Sequence, residues 1–292
     1  MKKKKKGSLL PVILIFLAGL SLLLYPTVSN FANSLHSTQA IADYTQGLQQ
    51  LDREQYRALW DSARAYNQML QTRENEGVLP KEFEEDYKNQ LNVMGSGIMA
   101  YIEIPSISVR LPIYHGTDEG VLQVAIGHLE WSSLPVGGEN THCVISGHRG
   151  LPSAELLTHI DLMKVGDAFY IHVLDKVLEY RVDDIAVVLP EDTSRLQVSA
   201  GKDYLTLVTC TPYGVNSHRL LVRGIRAGEG MALSSTGQLL LTDELRPVSL
   251  VYVIPVVLLP VLGLAAAAIW LRNLIRTKKE ENHEEPSNET TS

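Results

Sequence analysis

Thr206-Leu207-Val208-Thr209-Cys210-Thr211-Pro212-Tyr213-Gly214 begins as a β run and ends as a turn. Apolar and β-branched residues carry the chain to a cysteine, and Pro212 and Gly214 then stop it. Cys210 therefore falls at a strand end, where a barrel opens to solvent, ahead of a loop of the kind in which rigid scaffolds hold reactive groups. Arg219 opens the next apolar run. A hairpin loop of this length returns the chain beside its own start, so Cys210 and Arg219 are expected to face each other across adjacent strands. A guanidinium stays charged and donates several hydrogen bonds. Beside a thiol it favours thiolate, and it can hold the oxyanion of a tetrahedral intermediate. The plainer readings are a small buried hydrophobe for Cys210 and a surface ion pair for Arg219.

A proton carrier would complete such a site. His148 lies in Ser146-Gly147-His148-Arg149-Gly150, at the exit of the short β run Cys143–Ser146. Eight other histidines compete with it. His142 begins the same run and should lie away from the end that His148 reaches. His218, next to Arg219, is the nearest rival, and the residues alone leave that choice open. Cys143 lies inside the run and reads as a core side chain rather than a disulfide partner of Cys210. No paired Cys or His spacing suits structural zinc, so no metal is expected. The formal net charge of −7 gives no reason to expect nucleic acid.

Around these residues the texture is that of many short strands: Met99–Ile104, Val109–Ile113, Ala168–Val173, Leu178–Val188, Tyr204–Cys210 and Leu220–Ile225, with Cys143–Ser146 among them. Turn residues separate them, which predicts a sandwich or a closed barrel, mainly β. Ser153–Thr158 reads as a turn or two of helix. Upstream, Phe31–Leu70 carries Ile41, Tyr44, Leu48, Leu59, Ala63, Tyr66 and Leu70 near a 3.6-residue period. This predicts one helix docked on the domain. Gln71–Tyr87 is polar, holds Gly77 and Pro80, and reads as loop or short helix.

The two ends are apolar. Leu9–Tyr25 and Val248–Leu271 are each about long enough to cross a bilayer, given roughly 20 helical residues per span. Lys2–Lys6 precede the first, and Arg272, Arg276, Lys278 and Lys279 follow the second. Basic flanks stay inside. Both termini are therefore expected in the cytoplasm, with the domain between them extracellular. The first run lacks a small-x-small cleavage site and reads as a retained anchor. The expected division is a basic tail at 1–8, spans at 9–25 and 248–271, and a helical segment at 26–97. A catalytic barrel follows at 98–229, with a linker at 230–247 and a cytoplasmic tail at 272–292.

These residues resemble the sortase family, and within it class C, the pilin polymerases of Gram-positive bacteria. The family's TLxTC signature is similar to Thr206–Cys210. Leu111-Pro112-Ile113-Tyr114-His115-Gly116-Thr117, Ser133-Leu134-Pro135-Val136-Gly137-Gly138, Ser146–Gly150 and Thr209–Gly224 also resemble class C. The resemblance implies an eight-stranded β-barrel with short helices, an N-terminal helical appendage and two transmembrane helices. It implies Cys210 as the nucleophile that carries the acyl-thioester, His148 as proton donor and acceptor, and Arg219 as transition-state stabiliser. It calls for no cofactor. It implies substrates with LPxTG-like sorting signals, the acceptor being a lysine of the next pilin. The alternatives are a housekeeping sortase that fixes proteins to peptidoglycan and a non-catalytic pilus assembly factor. Class C members usually carry a lid with an Asp-Pro-aromatic tripeptide. Gln71–Tyr87 has none; Leu79-Pro80 and Phe83 are its only remnants, so no lid residue is assigned.

Overall fold

The computed structural model describes residues 10–72 and 78–231, with isolated helical positions at 263, 270, 272 and 276. The chain divides into two units, Met1–Thr242 and Asp243–Ser292. The expected basic tail at 1–8, most of the linker, the second span at 248–271 and the final tail lie outside the described residues, those isolated positions aside.

Eight strands form a closed barrel in the order β1-β2-β3-β4-β7-β8-β6-β5. They are β1 (Ile98–Ile104), β2 (Val109–His115), β3 (Ile126–His128), β4 (Thr141–Ser146), β5 (Ala168–Val173), β6 (Lys176–Val188), β7 (Asp203–Thr211) and β8 (His218–Met231). The β2–β3 and β4–β7 pairs are parallel and the others antiparallel. Closure leaves no free sheet edge. Seven strands fall on the predicted apolar runs. β3 was not foreseen, because Ile126-Gly127-His128 is too short to show a period of two. Ser153–Thr158 is turn rather than helix, and the chain instead makes one 3₁₀ turn at Ile160–Leu162. Ile102, Ile113, Ile126, Ile145, Phe169, Leu205, Leu207 and Val222 fill the barrel, all fully buried.

The expected Phe31–Leu70 helix is two helices. α1 (Leu10–Leu48) runs without a break from the apolar N-terminal stretch, with Pro26 inside it. α2 (Arg53–Gln71) starts afresh at a capping box: Asp52 accepts from Gln55 N at 2.8 Å, and the Gln55 side chain accepts from Asp52 N at 2.9 Å. That reciprocal pair satisfies two of the amides that a helix start leaves open. Both helices dock as the spacing predicted, through Ile41, Tyr44 and Leu48 on α1 and Trp60, Ala63 and Tyr66 on α2. Among the described residues one helix is long and apolar enough to cross a membrane, Ile13–Leu48, with a mean hydropathy of 1.8 over its most apolar stretch. Gln71–Tyr87, expected as loop or short helix, holds a 3₁₀ turn at Lys81–Phe83 and the start of α3 (Glu84–Asn89).

Polar pins fix the helices to the barrel. Tyr44 Oη donates to Met99 O at 3.1 Å and accepts from Leu174 N at 3.0 Å. Trp60 Nε1 donates to Asp175 at 2.7 Å. Asn67 accepts from Leu134 N at 2.7 Å and donates to Leu134 O. On α3, Tyr87 reaches His128, whose Nδ1 lies 3.0 Å from the hydroxyl. The other ring nitrogen faces Ser133 O at 2.9 Å. Nε2–H therefore donates to that carbonyl, and Nδ1 accepts from Tyr87.

Two stability predictions follow from these pins. Tyr44→Phe keeps the ring but strands two buried backbone groups, and chemical denaturation should register a loss of about 1–3 kcal/mol. Burial pushes the His128 imidazole down to about 4, whereas in the unfolded chain it titrates near its ordinary value of about 6.5. Below that pH the unfolded state binds the proton and the fold does not. The stability held by neutral His128 is thus complete above about 6.5 and is lost as pH falls towards about 4. Between pH 7 and pH 4.5 the wild type should lose on the order of 2–3 kcal/mol more than His128→Gln.

Candidate active site

The site is set by strand register. β4 and β7 run parallel, with Ser146 opposite Val208. The same register continues beyond the end of β4. Gly147 N donates to Val208 O at 3.1 Å, and Thr209 Oγ1 donates to Gly147 O at 2.8 Å. Arg149 Nη1 lies 3.4 Å from Thr211 Oγ1. His148 falls between these ties and so stands abreast of Cys210. On the other side of β7, Cys210 pairs directly with Arg219 of β8. β7 and β8 therefore carry sulfur and guanidinium at one level, and the segment just past the end of β4 carries the imidazole beside them.

Alternation gives their common face. Cys143, Ile145, Leu205, Leu207, Leu220 and Val222 point into the barrel core. Val144, Val208 and Leu221 point outward, into a second small cluster with Val188 and Leu196. Gly147 continues the inward series: a Cβ there would lie 2.6 Å from Ile126 Cγ2 and 2.8 Å from Leu157 Cδ1. His148, Cys210 and Arg219 therefore share the outer face. The sequence reading put the thiol where the barrel opens. The strand-end position holds, but the side chains face the outside of the wall. Strand alternation is the reason, because both faces of β7 are buried along most of its length.

The connection from β6 to β7 roofs this face through Leu196, and Leu129 and Trp131 pack against the same outer cluster. Farther from the thiol the groove opens into a cleft of about 470 Å³, lined by Leu79, Pro80, Trp131, His142, Gln197 and Val198 among others. Leu79 and Pro80, the remnants weighed for a lid, thus sit at the His142 end of the groove. Phe83 packs against the main core.

Cys210 is a half-buried free thiol, and Cys143 is a buried free thiol. Burial pushes the Cys143 thiol well up, which keeps it protonated and unreactive. Among the described residues, the guanidinium of Arg219 meets only the backbone carbonyls of Asn216 at 3.3 Å and His218 at 3.2 Å. Its neighbour on the same face, Arg223, is held by Asp183 through bonds of 3.0 and 2.9 Å. The ion-pair reading thus fits Arg223, whereas Arg219 has no carboxylate partner among the described residues.

The rival histidines are occupied elsewhere. His142 bridges Gln197 O at 3.0 Å and Thr206 Oγ1 at 2.7 Å, which ties the roof to β7. His115 spans Gly97 O and Gln90 O. His218 pairs with Thr211 in the ladder, so it turns to the face opposite Arg219.

One supporting residue escaped the sequence reading. Arg149 pairs with Asp161 at 2.6 Å and donates to Thr158 O at 3.2 Å, besides reaching Thr211. It staples the turn after His148 to both the following loop and β7. Its signal was visible as an arginine beside the histidine, but the partners lie in a loop without periodicity. Across the same turn the Tyr213 ring lies against Gly150, whose φ is +82°; a Cβ at Gly150 would come within 2.8 Å of that ring.

Comparison with known proteins agrees with this architecture. The Sortase domain family model matches residues 102–227. The crystal structure of sortase C1 from Streptococcus agalactiae is 48% identical, with a TM-score of 0.64, covering 65% of this chain and 98% of that one. Streptococcus pneumoniae sortase C is 46% identical, with a TM-score of 0.60, covering 67% and 100%. Among curated proteins, sortase A of Streptococcus agalactiae is 29% identical over 150 residues, which is 50% of this chain and 57% of that protein. Sortase D of Bacillus subtilis is 32% identical over 118 residues, 40% and 55% of the two chains. The chain thus spans little more than half the length of these two curated relatives. An eight-stranded barrel of this order, matched at 46% and 48% identity over nearly the whole of two class C structures, makes the chain a member of the sortase family.

Proposed function

We propose that this chain is a membrane-anchored cysteine transpeptidase of class C, which cleaves LPxTG-like sorting signals and joins pilin subunits through lysine isopeptide bonds. The single observation that carries the reading is the strand register that brings His148 and Arg219 level with Cys210 on one face. A nucleophile, a proton carrier and an oxyanion partner are what amide exchange requires. The Clostridium perfringens sortase C, 44% identical, is solved with the C-terminal cell wall sorting motif. That likeness supports a sorting signal as the donor here.

In this reaction the Cys210 thiolate attacks the threonine carbonyl of the signal. The oxyanion that forms takes hydrogen bonds from Arg219. The C–N bond to glycine breaks, and protonated His148 gives its proton to the departing amine. The acyl group remains on sulfur as a thioester, so one hard step becomes two easier ones. A pilin lysine amine then attacks the thioester. Its proton passes to neutral His148, the new amide forms, and the thiolate is released. The unbroken α1 supports anchoring. Substrate and enzyme confined to one membrane plane meet at raised effective concentration.

Two substitutions test the scheme. With a pilin bearing the sorting signal, Cys210→Ala should abolish both the thioester and the high-mass ladder seen by denaturing electrophoresis. A ladder at wild-type level would leave only the assembly-factor reading, and a single product with cell-wall amine alone would favour the housekeeping one. Arg219→Ala should lower kcat by roughly 10²–10³-fold with a small change in KM, as expected for an oxyanion donor.

A further inference from the structure

α1 does more than tether the barrel. It is one helix from Leu10 to Leu48, and two of its side chains grip the barrel just past the apolar run. Asn30 Oδ1 accepts from Glu155 N at 2.9 Å, and Asn33 Nδ2 donates to Val124 O at 3.1 Å. At 1.5 Å rise per residue, Asn30 and Asn33 stand only about 7 and 12 Å beyond Tyr25, where the apolar run ends. The headgroup layer of one leaflet is itself about 5–8 Å deep. Val124 and Glu155 are therefore held at the level of the headgroups or just above them. A bend at Pro26 would change the tilt of the barrel but little of this height, because Asn30 is one turn away.

The end of the barrel so lowered is the catalytic end. Glue between the two is short: Leu157 N donates to His148 O at 3.2 Å, two residues from Glu155. β4 and β7 both run downwards to His148 and Cys210, while Asp203 at the far end of β7 stands up to roughly 23 Å higher. A separate observation agrees. Val124, Leu162, Val165, Val187, Tyr213 and Val215 are large apolar side chains exposed on this lower end. They belong to three connections and one strand, yet the topology gathers them at one end. Among the described residues the exposed apolar side chains at the upper end are fewer, Val78, Met94 and Val198.

We propose that this end of the barrel rests on the outer surface of the lipid bilayer, with these apolar side chains at headgroup depth. The inference rests on the anchored reading above. It places the Cys210 groove sideways along the membrane, low enough to take a sorting signal immediately where it leaves the bilayer. A patch of this kind needs a partner, and the helix that enters the lipid directly beside it fixes which one.

The test uses the full chain carrying Cys210→Ala, reconstituted in vesicles of equal parts phosphatidylcholine and phosphatidylglycerol. Buried Cys143 does not compete for label. Single substitutions Val124→Cys, Val165→Cys, Val215→Cys and, at the upper end, Val198→Cys receive an environment-sensitive fluorophore. Lipids bearing a headgroup nitroxide should quench the first three several-fold more strongly than the fourth. Adding Asn30→Ala with Asn33→Ala should shrink that difference. Equal quenching at all four positions, with the protein still in the vesicles after an alkaline carbonate wash, would overturn the inference alone. Release by the wash would overturn the anchored reading and this inference with it.

Discussion

Parallel pairing of β4 with β7 is the constraint on which the site depends. A parallel pair cannot be closed by a tight turn and needs a long crossover. In this chain the crossover contains β5, β6 and the roof, so the catalytic end is assembled only after distant segments have met. β8 then adds Arg219 through a hairpin. β7 is buried on both faces, so a slip of one residue would drive apolar side chains into the wrong environment on each side at once. The packing of Leu205 and Leu207 inward and Val208 outward therefore fixes where the sulfur stands.

The local parts of this arrangement were legible in the sequence. Cys210, Pro212, Gly214 and Arg219 lie within one hairpin, and their pairing follows from loop length. The placement of His148, and not His218, on the Cys210 face was not legible, because it depends on two facts that spacing does not carry. One is the β4–β7 register. The other is that neighbours on a strand face opposite ways, which turns His218 from the side that Arg219 takes. The outer-face position was hidden for a related reason: a strand buried on both sides reads as an unbroken apolar run and shows no inside. The α1–α2 break was written in Asp52 and Gln55, but the apolar period ran on through it and masked it.

Four buried or half-buried histidines show how the same residue type serves structure. His115, His128, His142 and His172 each have a ring nitrogen in contact with a defined polar partner. Burial holds the first three below the usual imidazole range. Each cross-links segments through its ring, which is the usual fate of a buried polar group. His142 is the clearest case, because it joins the roof of the groove to the strand that carries Cys210.

The contact of Tyr213 with Gly150 couples two loops that the chain makes far apart. The glycine gives the ring a seat that any larger residue would fill. A side chain added at Gly150 would have to displace the aromatic ring or shift the peptide two positions from His148. Bulk added at one of these two loops must therefore be accommodated by the other, as between meshed gears.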